Sequence, residues 1–427
     1  MDKFLITGGK PLRGTVAISG AKNSALPAMA ASLLTADRLA LHSVAKVRDI
    51  ITMGKLLAYM GVSVATNEFP AADYVFQAHT ISDAVAPYEL VKTMRASILT
   101  LGPTLARTGI ARVSLPGGCA IGARPVDLHL SALEKMGAEI HTAHGYIEAR
   151  AREGGRLKGA RIRFEKITVT GTENILMAAA LAEGESVLEN SAREPEVTDL
   201  IVLLRKMGAQ IEGDDTATLR IQGVPSLHGT EHTVIPDRIE AGTFLVAGAI
   251  TNGDVTITDC EPRHLGAIIS KLRETGVQIE EVGSHCLRVR GVRKLVAANL
   301  ATEEYPGFAT DMQAQYMALA TQAEGVCTIA ETIFENRFLH ALEMKRMGAN
   351  ITIEGHHAVV RGPSQLSGTT VQASDLRASA GLVLAALVAS GQTAIERVYH
   401  IDRGYERIVE KLSSLGADIS RIHSAGT

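Results

Sequence analysis

The chain has 427 residues, with 40 glycines, eight phenylalanines, eight tyrosines and no tryptophan. At about 100–200 residues per domain, that length predicts two to four domains. A content of 46 % hydrophobic and 21 % charged residues excludes intrinsic disorder, while a net charge of −3 and few aromatics argue against a nucleic-acid binder.

Taken in chain order, the predicted elements repeat. A short β-like run follows Leu12-x-Gly14, and an apolar helix is predicted over Ser24–Leu34. An amphipathic stretch then ends at Met60-Gly-Val-Ser-Val64. The same ending recurs at Met136-Gly-Ala-Glu-Ile140, Met207-Gly-Ala-Gln-Ile211, Thr275-Gly-Val-Gln-Ile279, Met347-Gly-Ala-Asn-Ile351 and Leu415-Gly-Ala-Asp-Ile419. Each ending reads as a helix, a left-handed glycine cap and the start of a strand. The Leu-x-Gly opening recurs at Leu157, Leu227 and Leu366, followed by apolar helices predicted over Asn174–Ala182, Ala241–Ile250 and Ala378–Ala389. These helices are apolar nearly all round, so they are expected to be buried on every side. Six copies of about 70 residues thus predict βαβαββ units grouped as three plus three, with a boundary in Gly223–Pro236. A cleft between two such domains is a favoured ligand site. The alternative is a purely structural solenoid.

Several segments carry chemistry. Ser19-Gly-Ala-Lys-Asn-Ser-Ala-Leu-Pro27 reads as a strand end, a turn and a helix start, where backbone amides and Lys22 could hold an anion. A solvated turn lysine is the competing reading. Arg95 and Arg377 each open an Arg-Ala-Ser tripeptide ahead of an apolar helix. Cations there are mildly unfavourable, so an anion is expected between them. In Leu115–His129 a Gly-rich loop presents Cys119, with Arg124 five residues on, a setting that favours thiolate. Asp311 either caps the helix after Thr310 or acts as a general base. Arg337, Asp375 and Arg403 lie at other predicted element ends. Together these cations predict a multiply anionic small-molecule ligand. Cys260, Cys286 and Cys327 sit in strand-like runs and read as packing residues, and the wide cysteine spacing fits a reducing cytoplasm. The N-terminus has no secretory pattern, and no apolar run reaches the ~18 residues of a membrane span. No metal constellation is predicted, and His356-His357 reads as an exposed edge.

Gly20-Ala-Lys-Asn-Ser-Ala-Leu-Pro27, Leu115–His129, Thr310-Asp-Met-Gln-Ala-Gln315, Phe334-Glu-Asn-Arg-Phe338, Asp375-Leu-Arg-Ala-Ser379 and His400-Ile-Asp-Arg-Gly-Tyr-Glu-Arg407 together resemble the UDP-N-acetylglucosamine 1-carboxyvinyltransferases of the enolpyruvyl transferase family. The similarity runs from the first residues to about Ile419. It implies a two-domain inside-out α/β barrel, each domain holding three βαβαββ repeats around buried helices. The domains would be residues 22–235, and residues 1–21 plus 236–427. The implied reaction moves the enolpyruvyl group of phosphoenolpyruvate to the 3′-hydroxyl of UDP-N-acetylglucosamine, releasing phosphate, with no cofactor, nucleic acid or membrane partner, in a bacterial cytoplasm.

By the same resemblance, Lys22, Arg124 and Arg403 hold phosphoenolpyruvate. Cys119 is the general acid and the thiol alkylated by fosfomycin, and Asp311 takes the sugar hydroxyl proton. Asn23, Arg95, Arg124, Pro125, Val126, Asp127, Leu128, Lys166, Ile167, Thr168, Val169 and Ile333 match positions that bind the nucleotide sugar. Arg337, Asp375 and Arg377 match supporting residues. Two departures stand out: Leu99 replaces a tryptophan of some members, and Lys166-Ile-Thr-Val-Thr-Gly171 differs from the commoner Val-Gly. The shikimate-pathway enolpyruvyl transferase and a non-catalytic nucleotide-sugar binder are the rival readings.

Overall fold

The computed structural model describes residues 2–66, 74–92, 94–115, 126–152 and 155–423. They fall into two compact units, residues 20–115 with 126–235, and residues 2–19 with 236–423.

The unit of residues 20–235 has three four-stranded sheets. In spatial order the first is Glu231–Thr233, Arg38–His42, Tyr74–Gln77 and Ser63–Thr66. The second is Val85–Ala86, Ile110–Ser114, Tyr146–Ala151 and Ala138–Ala143. The third is Arg161–Arg163, Glu185–Glu189, Thr218–Gln222 and Gln210–Glu212. In each, the first pair is parallel and the others antiparallel. A parallel pair needs a crossover, and here helices Leu101–Thr108 and Val169–Ala180 supply two of them. With Lys22–Ala31 they form the buried helical centre, packed against one another.

The other unit repeats the plan. Its sheets are Arg13–Ala17, Asp254–Thr258, Cys286–Arg290 and Gln278–Gly283; Leu295–Val296, Ala323–Ala330, His357–Gly362 and Asn350–Glu354, with a fifth short strand, Leu300–Ala301, also parallel to Ala323–Ala330; and Thr370–Gln372, Gln392–Glu396, Lys3–Thr7 and Asp418–Ile422. Its buried helices are Arg238–Ile250, Gln313–Ala320 and Leu376–Val388. Each unit is therefore an inside-out α/β arrangement, with helices within and sheets around them.

The burial follows from composition. From Ala378 to Leu387 the side chains are at most 2 % exposed, and each fully buried Leu or Val among them contributes roughly 1.5–3 kcal/mol. Small residues set the helix spacing. A Cβ on Gly102 would collide with the Asn174 carbonyl, and the Gly102 amide donates to Asn174 Oδ1 at 2.7 Å. The outer helices stay amphipathic. Arg48–Tyr59 buries Ile50, Met53, Leu56 and Leu57 and exposes Lys55.

All six glycines of the repeated ending are left-handed, with φ of 97° at Gly61, 88° at Gly137, 101° at Gly208, 90° at Gly276, 103° at Gly348 and 95° at Gly416. At the first, the Gly61 amide donates to the Ala58 carbonyl at 3.1 Å and the Val62 amide to Leu57 at 3.0 Å. This double bond set is the Schellman closure, which satisfies the last carbonyls of the helix.

Two of the Leu-x-Gly strands lie in a different unit from the helix that follows them in sequence. The strand after Leu12 pairs in parallel with Asp254–Thr258, and the strand after Leu227 pairs with Arg38–His42. Each therefore opens a repeat of one unit while the helix next to it in sequence, Lys22–Ala31 or Arg238–Ile250, lies in the other. The sixth repeat closes with the N-terminal strand Lys3–Thr7, bonded between Gln392–Glu396 and Asp418–Ile422. Linear periodicity records neither exchange, because it carries no information on which sheet a strand joins. The second and fifth repeats lack the Leu-x-Gly opening and still contain buried helices, Leu101–Thr108 and Gln313–Ala320. The His356–His357 pair is exposed at a hairpin tip, and its strand is internal to the sheet, not an edge.

Candidate active-site residues

In the unit of residues 20–235, Lys22 and Asn23 begin a buried helix whose N-cap, Ala21, offers no side-chain acceptor to the first amides. Lys22 is 8 % exposed, and its Nζ donates to Asp49 Oδ2 at 3.0 Å. Asp49 lies in the first turn of Arg48–Tyr59, where the helix dipole favours a carboxylate. Sequence reasoning did not single it out. Ser24 Oγ donates to Asp199, whose other oxygen lies 2.9 Å from His232 Nε2, so the helix start is anchored by buried polar groups.

Arg95 opens a 3₁₀ turn, Arg95–Thr100, that leads into the buried Leu101–Thr108 helix. Nearby, burial and then the Arg95 charge push the His129 pKa down to about 4. Its Nδ1 lies 3.0 Å from Asn174 Nδ2, consistent with a neutral ring accepting at that atom. Val126, Asp127 and Leu128 start the Asp127–Lys135 helix, with Asp127 exposed. Lys166 is exposed, and Ile167, Thr168 and Val169 are half-buried at the start of Val169–Ala180. Thr168 Oγ1 caps that helix by accepting from the Gly171 amide at 3.2 Å. A Cβ at 171 would collide with the Thr168 side chain. The local departure from the commoner motif is thus a working cap, whose two members are Thr168 and Gly171. Leu99 is 1 % exposed and part of the core.

In the unit of residues 2–19 and 236–423, three charged side chains form a compact set. Asp311 lies inside a 3₁₀ turn, Thr310–Met312, whose N-cap is Ala309. Its Oδ1 accepts from Arg337 Nη2 at 2.9 Å, and its Oδ2 accepts from Arg377 Nε at 3.0 Å. Both guanidiniums are buried, at 5 % and 4 % exposure. Burial opposes the Arg377 charge, but Asp311, Tyr405 and Asp237 together outweigh it and raise the pKa above the ordinary arginine value. Arg377 faces an anion of the chain itself, Asp311. Arg337 Nη1 is buried with no hydrogen-bond partner among the described residues.

Asp375 caps the Leu376–Val388 helix, accepting from the amides of Arg377 at 2.9 Å and Ala378 at 3.0 Å. It thereby fixes the turn that carries Arg377. Ile333 is half-buried in the turn after Glu331. Arg403 ends the 3₁₀ turn Val398–Arg403 and is half-buried. Cys119, Arg124 and Pro125 lie outside the described residues. Burial pushes the Cys260 thiol up to about 11 and the Cys327 thiol up to about 12, so neither is a nucleophile at neutral pH. Among the described residues no group of three His, Cys, Asp or Glu could hold a metal ion, and no helix is long and apolar enough to cross a membrane.

Residues 6–412 match the family model of EPSP synthase (3-phosphoshikimate 1-carboxyvinyltransferase). The chain belongs to the EPSP synthase family of enolpyruvyl transferases. Within that family it is 60 % identical over 422 residues to the UDP-N-acetylglucosamine 1-carboxyvinyltransferase of Solibacter usitatus, covering 99 % of this chain and 100 % of that one. It is 62 % identical over 423 residues to the enzyme of the same name from Acidobacterium capsulatum, covering 99 % and 96 %. Among solved structures, the enolpyruvyl transferase NikO from Streptomyces tendae matches with a TM-score of 0.89 at 28 % identity, over 99 % of both chains. The EPSP synthase of Acinetobacter baumannii shares the fold, with a TM-score of 0.77 at 18 % identity, over 99 % of this chain and 100 % of that one.

Proposed function

We propose that the protein transfers the 1-carboxyvinyl group of phosphoenolpyruvate to the 3′-hydroxyl of UDP-N-acetylglucosamine, releasing phosphate, as the first committed step of peptidoglycan synthesis in a bacterial cytoplasm. The observation that carries this reading is identity of 60–62 % over nearly the whole chain to three enzymes that bear the reaction's name. The disposition of charge supports it. Phosphoenolpyruvate brings a phosphate and a carboxylate, and Lys22, Arg124 and Arg403 are the cations assigned to them. In the free protein the buried Lys22 ammonium is paired with Asp49, which keeps that cation charged and in place for an arriving phosphate.

The reaction is an addition followed by an elimination. Asp311 takes the proton of the 3′-hydroxyl as its oxygen bonds to C2 of phosphoenolpyruvate, and Cys119 delivers a proton to C3. Loss of a C3 proton and of phosphate from C2 then restores the double bond. Two arginines hold the Asp311 carboxylate, one on each oxygen, and the hydroxyl it faces becomes acidic as its oxygen attacks.

The family model itself carries the name of the shikimate enzyme, so the test uses both acceptors. Phosphate release from phosphoenolpyruvate is measured with UDP-N-acetylglucosamine and, separately, with shikimate 3-phosphate. Release with the first alone is expected. Release with the second alone would replace this reading with the shikimate one.

A further inference from the structure

Glu331 follows directly on the strand Ala323–Ala330 and is 1 % exposed. A buried carboxylate is tolerated only when it is well hydrogen-bonded, and this one receives donors from three separate segments. Its Oε1 accepts from Thr302 Oγ1 at 3.0 Å, from Thr310 Oγ1 at 3.0 Å, and from the amides of Ile333 at 3.0 Å and Phe334 at 3.2 Å. Its Oε2 accepts from Thr310 Oγ1 at 2.9 Å.

Two consequences bear on the site. Thr310 immediately precedes Asp311, so the carboxylate pins the 3₁₀ turn from which Asp311 projects. In a trans peptide the carbonyl points opposite the following amide. With the amides of 333 and 334 aimed at Glu331, the carbonyls of Thr332 and Ile333 face away from it. The orientation of the Ile333 carbonyl is thereby fixed by Glu331. Thr302 closes the frame, since its hydroxyl also accepts from the Thr332 amide at 2.9 Å.

We propose that Glu331 is a positioning residue for the acceptor sugar, one carboxylate that sets both the Asp311 turn and the Ile333 carbonyl. This rests on the reading of the site as a UDP-N-acetylglucosamine carboxyvinyltransferase. Glu331 touches no reacting atom, and its effect runs through the two turns it holds.

The experiment is steady-state kinetics of the full-length enzyme with each substrate varied in turn, for wild type, Glu331→Gln, Thr310→Val and Thr310→Ser. Glu331→Gln keeps the shape and removes the charge that four donors share, so kcat falls and the KM for UDP-N-acetylglucosamine rises, each by about tenfold. The KM for phosphoenolpyruvate stays within twofold of wild type. Thr310→Val breaks only the link to the Asp311 turn. It lowers kcat with little change in either KM, and Thr310→Ser, which keeps the hydroxyl, restores it. A Glu331→Gln enzyme that is folded and kinetically like wild type overturns the proposal, as does one that loses affinity for both substrates equally. If Glu331→Gln does not fold, the Thr310 pair decides: equal kcat in the Val and Ser variants refutes the link. A wild-type enzyme that releases no phosphate with UDP-N-acetylglucosamine fails the underlying reading first, and this inference with it.

Discussion

Replacing Asp311 by asparagine separates its two roles, ion-pair partner and proton acceptor. The side chain is 28 % exposed, whereas the arginine side chains it joins are 4 % and 5 % exposed. Its three nitrogen contacts lie at 2.9, 3.0 and 2.9 Å. Asparagine retains an acceptor oxygen but no charge, leaving two buried guanidiniums without a counter-ion. Removing one partner of a buried pair costs about 3–5 kcal/mol, and partial exposure of Asp311 brings that to about 2–4 kcal/mol. For a unit of this size the unfolding midpoint then drops by about 5–12 °C. Loss of a positioned base lowers turnover by a further ~10²–10⁴-fold. The assay is calorimetric unfolding together with phosphate release measured well below the transition. A variant with an unchanged midpoint refutes the ion-pair reasoning. A destabilised variant that keeps more than a tenth of wild-type kcat refutes the assignment of Asp311 as the base.

Other changes have sharply different expected outcomes. Gly137→Ala meets no atom within 4 Å but forces alanine to φ 88°, so circular dichroism melting should show a loss of about 1–2 kcal/mol with activity intact. Gly102→Ala instead drives a methyl into the Asn174 carbonyl, and soluble expression should collapse; equal stability of the two variants would contradict the packing described. Fosfomycin treatment followed by peptide mass spectrometry should place the adduct on Cys119, while Cys260 and Cys327, with thiols near 11 and 12, stay unmodified; an adduct on either would refute the reasoning on their burial. His129 has a folded pKa near 4, depressed by burial and then by Arg95, against ~6.5 unfolded. The unfolded chain therefore binds the extra proton between those values, and stability present above pH ~6.5 is lost as pH falls toward 4, by up to about 3 kcal/mol. In a His129→Gln variant the acid limb of a denaturant-measured stability curve should be flatter, and an identical limb would remove His129 as its source.

Much of this architecture is legible in the sequence because it rests on local chemistry. The glycine after each amphipathic helix is left-handed in all six copies, as a helix-ending glycine cap requires. The buried helices show because nearly every residue in them is apolar or small. What stays illegible is long-range. Nothing near Leu12 records that its strand joins Asp254–Thr258, about 240 residues away. The candidate site divides the same way. Lys22, Asp311 and Arg377 stand out through their motifs, but their partners do not. Asp49 is one more acidic residue at a helix start, and Glu331 one more after a strand. Only folding shows that the first neutralises Lys22 and the second gathers Thr302, Thr310 and two backbone amides. The same holds for Arg377, whose facing anion is a side chain 66 positions away.

The most direct test is mass spectrometry of the nucleotide sugar after incubation with phosphoenolpyruvate, with released phosphate counted in parallel. The account predicts UDP-N-acetylglucosamine heavier by one carboxyvinyl group on its 3′-oxygen, with one phosphate released per product formed. Unmodified nucleotide sugar after exhaustive incubation, or phosphate released without that product, would contradict it.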